Sequence, residues 1–232
     1  MAPLFDPSGG LRYHLTALLH ARRLWVPHRR QVDLFLREWA PRAPQLVLIG
    51  PSGGYTLPPA FLSRFQEIFA LEPDPVARLL FSRLHSTLGA RLKFVPRPRA
   101  LEPLIRGSTA VLFCNVLGQL SDSITARVPE ARAEMESLLR RIELVAPWAS
   151  FHDRLSCETS PLGPAKSEAL SSTARMPADA LARHFLPGTE LALEHDAEDW
   201  WPRLRENAFF RYWSWQLRPD QRHVIEATFR KN

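Results

Sequence analysis

The chain has 232 residues, 45% hydrophobic and 10% aromatic, which is ample for one packed domain, or one domain with a small cap, and excludes a disordered polypeptide. Its net charge of +6 permits nucleic acid or another anionic partner without demanding one, since the surplus is almost all arginine and forms no block of five or six basic residues. No run of about 18 apolar residues marks a membrane span, MAPLFDPSGG lacks a basic-then-apolar leader, and two cysteines, Cys114 and Cys157, set no disulfide framework, so the expected setting is the cytoplasm with no membrane partner.

In chain order, residues 11–24 place Leu11, Leu15, Leu18 and Leu19 on one face, the pattern of an amphipathic helix that Pro27 ends. Residues 28–39 repeat it with Val32, Phe35, Leu36 and Trp39. These two helices, residues 1–44 with their flanks, either cap a site or simply pack on the domain that follows. Leu46 to Ile49 is a short apolar run with the length of a buried strand. It ends in Gly50, Pro51, Ser52, Gly53 and Gly54, a tight turn that no element interior tolerates. Residues 60–69 then carry Phe61, Leu62, Phe65, Ile68 and Phe69 at near-helical spacing, with a second strand-like run, 68–71, overlapping the end and delivering Glu72 and Pro73.

Pro75 suits the first turn of a helix over 75–88, with Val76, Leu79, Leu80, Leu84 and Leu88 in register. Residues 92–95 form a third strand and 108–113 a fourth, the latter apolar enough to be buried on both faces. A helix over 129–142 turns Ala131, Met135, Leu138, Leu139 and Ile142 inward, and residues 148–151 form a fifth strand ending at His152 and Asp153. Residues 157–187 begin with a Ser, Pro, Ala and Gly-rich stretch that predicts a loop or lid, with a short helix over 175–185 and another over 199–207. The aromatic run 209–215 and the alternating run 223–229, joined through Pro219-Asp220, predict an antiparallel pair. Strands alternating with helices imply a parallel sheet with right-handed crossovers.

A Gly-rich turn after a first strand, followed 22 residues later by an acid at the end of a second, is how open parallel sheets hold a nucleoside. Glycines let the backbone approach the ligand, and a carboxylate accepts from ribose hydroxyls. This stretch resembles the first two motifs of the class I S-adenosylmethionine-dependent methyltransferases. Ser52 stands where that family has its middle glycine, and Ile49 where it often has an acid. The C-terminal antiparallel pair resembles the same family, whose last strand runs antiparallel. The resemblance implies an α/β fold: a Rossmann-like, mostly parallel sheet with helices on both faces, a C-terminal antiparallel hairpin and an N-terminal helical cap, the sheet domain spanning 45–232.

It also implies S-adenosylmethionine as cofactor, held by Gly50, Pro51, Ser52, Gly53, Gly54 and Tyr55 on the methionine side and by Glu72 and Pro73 at the ribose. Cys114, Asn115 and Val116, at the end of the fourth strand, would lie beside the transferred methyl. The expected catalytic residues are Asn115, His152 and Asp153, with His152 as a base because its ordinary pKa lies near neutrality. The D-P-P-Y or N-P-P-Y motif of enzymes acting on exocyclic amines is absent. No His, Cys or carboxylate spacing resembles a zinc site. Three functions stay open: methyl transfer to a small or medium-sized acceptor, a non-catalytic binding or scaffold protein of the same fold, and an RNA-modifying methyltransferase. A nicotinamide-dependent oxidoreductase is disfavoured by the incomplete glycine pattern.

Overall fold

A computed structural model describes residues 10–117, 129–158, 168–188, 193–195 and 209–230. The expected helix at 199–207 lies outside the described residues. Helices α1 (Gly10–His20) and α2 (Val26–Trp39) precede the first strand. They are followed by β1 (Gln45–Ile49), α3 (Pro59–Leu62), β2 (Glu67–Leu71), α4 (Pro75–Leu84), β3 (Leu92–Val95) and β4 (Thr109–Cys114). The remainder comprises α5 (Pro129–Val145), β5 (Trp148–Glu158), β6 (Leu170–Ser172), α6 (Ala178–Phe185), β7 (Leu193–Glu194), β8 (Phe209–Arg218) and β9 (Gln221–Phe229).

All nine described strands join one sheet in the order β3-β2-β1-β4-β5-β9-β8-β6, with β7 on the free length of β5. The first five run parallel. Strand β9 runs antiparallel to β5, and β8 antiparallel to β9. The Rossmann-like sheet with its closing hairpin is therefore present. Consecutive residues of a strand point to opposite faces. On one face Leu46, Leu48, Ala110, Leu112, Phe151, Trp213 and Ile225 pack under Trp25, Val32, Phe35 and Leu36. On the other, Val47, Ile49, Val111 and Phe113 pack on α5 through Leu138, Leu139 and Ile142, while Leu155, Tyr212 and Val224 pack on α6 through Leu181 and Phe185. Each fully buried Val, Leu, Ile or Phe among these contributes roughly 1.5–3 kcal/mol.

The core side of α2 is the one its periodicity predicts, with Val32, Phe35, Leu36 and Trp39 all buried. Pro27 does not end a helix but sits in the first turn of this one, where its missing N–H costs nothing. Elsewhere the structure departs from the sequence pattern. The helix expected over 60–69 shrinks to the single turn α3, because residues 67–71 give their backbone groups to β1. Helix α4 buries Ala77 and Phe81 and leaves Val76, Leu79 and Leu84 exposed. Helix α1 buries His14 and Ala17 and turns its leucines outward. Strand β5 does not stop at 151 but continues to Glu158, because β9 pairs with it throughout. The β5–β9 register shifts between Asp153 and Leu155, which makes Arg154 an extra residue in a β-bulge.

Candidate functional site

The predicted turn and the predicted acid meet. Strands β1 and β2 are adjacent and in register, so both end at the same edge of the sheet. The Ser52 backbone N–H donates to Glu72 Oε2 at 2.8 Å, and the Asp74 N–H donates to Oε1 at 3.0 Å. Burial raises the Glu72 pKa, and the two backbone N–H groups oppose that rise. Gly50 and Gly54 adopt φ of 66° and 72°, and Ser52 one of 49°, so the loop coils through the left-handed region. Pro73, by contrast, is exposed.

The loop is closely packed. A Cβ placed on Gly50 would lie 1.9 Å from Val116 Cγ2, and one on Gly54 would lie 2.7 Å from the Phe81 ring. Gly53 lies under the ring of Tyr55. Helix α1 closes over the same place: His14 Nδ1 is 2.9 Å from the Tyr55 hydroxyl, and its Nε2 is 3.1 Å from Asp74 Oδ2. Tyr13 follows, 6.0 Å ring to ring from Tyr55, its phenol pKa raised by burial and by the nearby Asp153, Tyr55, Cys114 and Glu72. Pro51 is buried in the loop. Cys114 is buried, and burial pushes its thiol well above the range of a reactive cysteine.

The ends of β4 and β5 form the neighbouring half of the site. Asn115, in the left-handed region at φ 54°, accepts the Asp153 backbone N–H at 2.8 Å on Oδ1 and donates to Asp153 Oδ2 at 3.2 Å from Nδ2. The same carboxylate oxygen lies 3.1 Å from His223 Nδ1 on β9. Burial works to raise the Asp153 pKa, yet His223 and Asn115 hold it below the usual carboxylate range. An Nδ1 proton facing this carboxylate would place the lone pair of a neutral ring on Nε2. Neither ring nitrogen completes a hydrogen bond among the described residues, so the approach of Nδ1 to Asp153 is an ion-pair distance and Nε2 is buried and unengaged. A cavity of about 140 Å³ lies over these groups, lined by Tyr13, Asn115, Asp153, Trp215, Gln221 and His223 among others. His28 lies behind them, stacked 4.4 Å from Trp215, accepting the Trp213 indole N–H at 2.9 Å, and held neutral by burial with a pKa of about 3.

His152 and Asp153 are not side by side in space. Alternation along β5 turns His152 to the opposite face of the sheet, where it is fully buried 3.4 Å from Glu226 and 3.1 Å from Ser150 Oγ. Arg175 Nε completes that cluster, 3.0 Å from both Glu226 oxygens. The histidine that does meet Asp153 is His223. Its only sequence signal was a lone imidazole in an otherwise β-branched strand, and only the β5–β9 pairing brings it to Asp153. His14 likewise carried no signal of its latch. No group of described residues is arranged to hold a metal ion.

A parallel sheet closed at one edge by an antiparallel hairpin, with a Gly turn and an acid at the ends of its first two strands, decides the architecture. The fold is that of the class I methyltransferases. No family model and no curated relative matches the sequence. Among solved structures, the methyltransferase domain of bacterial CtHen1 covers 90% of this chain and 100% of its own, at 11% identity and a TM-score of 0.48. The N-methyltransferase NodS from Bradyrhizobium japonicum WM9 covers 89% and 98% at 13% identity and 0.47. Magnesium protoporphyrin IX methyltransferase from Synechocystis PCC 6803, solved with SAM, covers 91% and 84% at 14% identity and 0.46. At such distances the function rests on this chain's own geometry.

Proposed function

We propose that the protein is an S-adenosylmethionine-dependent methyltransferase acting on a small or medium-sized acceptor that enters the cavity over Asn115, Asp153 and His223. The observation that carries this reading is the Ser52–Glu72 hydrogen bond, which sets the glycine turn and the acid beside each other at the ends of β1 and β2, while the cavity is lined from α1 and the ends of β4 and β5 and the β8–β9 pair. The donor set suits an adenosine. Glu72 spends one lone pair on each oxygen and keeps others for ribose hydroxyls. Space is the constraint. The cavity of about 140 Å³ is below the roughly 300 Å³ of the smallest drug-sized pockets, so a nucleoside enters only when α1 lifts Tyr13 and His14 from the loop.

The bound cofactor supplies an electrophilic methyl on a sulfonium. The chain supplies alignment and a base. His223 Nε2 takes the acceptor's proton, Asp153 stabilises the imidazolium that results, and Asn115 fixes Asp153 through two hydrogen bonds. This role belongs to His223 rather than His152, which Glu226 and Ser150 engage on the far face.

A non-catalytic member of the fold is the second reading, favoured by the contact of Val116 with Gly50 and by the closure of α1 over the loop. Calorimetric titration with S-adenosylhomocysteine separates the two. The enzyme reading expects binding by the wild type that tightens in His14→Ala, where the latch is cut, and weakens at least tenfold in Glu72→Gln. Absence of binding heat at millimolar ligand in both wild type and His14→Ala, with native circular dichroism, rejects it in favour of the second.

A further inference from the structure

Helix α1 is turned with its apolar side to water. Leu11, Leu15, Leu18 and Leu19 are 40%, 52%, 66% and 74% exposed, while His14 and Ala17 face the sheet. At 100° per residue the four leucines occupy an arc about 100° wide, the breadth of a face meant for burial. The inversion has a cause beneath the helix: the body offers α1 the Tyr55 hydroxyl and Asp74, which suit His14 and not leucine. Asp74 is also the N-cap of α4, so α1 touches the start of that helix through His14. Helix α4 shows the same habit, with Leu79 58% and Leu84 53% exposed.

The segments that carry these leucines are basic, and Asp74 is the acid that lies between them. Residues 10–32 hold five arginines and no acid, and residues 75–101 hold five arginines, one lysine and no acid. These two stretches carry more than the whole surplus of +6, of which Lys93 is paired with Glu67. Arg22, Arg23 and Arg83 are exposed and form no ion pair among the described residues.

We propose that the outer face of α1 and α4 docks on an anionic lipid bilayer, as an interfacial surface and not a membrane span. Leucines buried at the acyl boundary with arginines at the headgroups satisfy both halves of this surface. A second copy of the chain satisfies only the leucines, since it would press two sets of arginines together. An RNA satisfies only the arginines, since it would trap Leu18 and Leu19 against phosphate and sugar. No described helix is long and apolar enough to cross a membrane, and docking requires none to be. The inference stands whether or not the cavity is catalytic.

The test is co-sedimentation of the full chain with vesicles of phosphatidylcholine alone or with one-third phosphatidylglycerol. Binding to the anionic vesicles is expected to exceed that to neutral ones at least tenfold and to fall with added salt. Leu18→Glu/Leu19→Glu is expected to lower it at least tenfold, and Arg22→Gln/Arg23→Gln severalfold, with unchanged circular dichroism and melting temperature. The arginine pair, fully on the surface, keeps the test valid if the leucine pair alters folding. Failure to bind anionic vesicles overturns the proposal, as does equal binding to neutral ones. So does a concentration-dependent dimer that the leucine pair abolishes, or binding to bulk tRNA that the leucine pair leaves intact.

Discussion

His28 offers a direct measure of what burial does to an ionisable group in this fold. Its ring is closed in by Trp213, Trp215 and Phe151, and burial drives its pKa from 6.5 to about 3. An unfolded chain binds a proton at His28 below about pH 6.5 and the native protein does not, so native stability must fall as pH falls through that window. The ordinary pKa and the depressed one give a loss of about 2 kcal/mol between pH 7.5 and pH 5 from this residue alone. His28→Gln removes the titration while leaving an amide oxygen to accept the Trp213 indole N–H. Urea unfolding of both proteins across this range reads the effect as a difference of slopes. Buried His85, whose pKa is also pushed down, contributes equally to both and cancels. The wild type should lose about 2 kcal/mol more than the variant. Parallel pH profiles would refute the claim that this site excludes the proton.

Glu226 is fully buried and, despite that burial, is held at a pKa of about 2 by His152 and Arg175. Glu226→Gln leaves buried arginine without its counter-charge and should cost about 3–5 kcal/mol in urea at neutral pH, the gap from wild type narrowing as pH falls from about 4.5 toward 2. Gly50→Ala adds left-handed strain to a collision with Val116 and should cost about 2–5 kcal/mol. Val116→Ala in the same chain should recover part of that loss in thermal melts and leave the strain. Asn115→Asp sets a second carboxylate against Asp153 and should lower the melting temperature more than Asn115→Gly, which keeps the left-handed backbone and loses only two hydrogen bonds.

Most of the architecture was legible because its signals are local. The run 46–49, the glycine turn after it and Glu72 lie within one strand–turn–strand unit, and the turn-to-acid contact is a consequence of adjacent parallel strands. What escaped depends on partners far along the chain. His223 reaches Asp153 across a separation of 70 residues, through a strand pairing that also lengthens β5 beyond its apolar part. The leucine periodicity of α1 and α4 marks a real helix in each case but does not say which side meets the body. That was decided by Tyr55 and Asp74 under α1, and in α4 by the aromatic ring of Phe81.

The bulge at Arg154 separates two properties that strands usually bind together. Asp153 pairs with Ile225 and Leu155 with Val224, which are consecutive on β9, so the pleat continues across Arg154 as though it were not there. Removing that one residue would leave every other side chain of β5 on its present face. The arginine is thus a guest in the strand, adding positive charge near Glu226 at 3.8 Å and reaching Glu194 at 2.7 Å. A chain could acquire or shed it by a single-codon change without rebuilding the sheet.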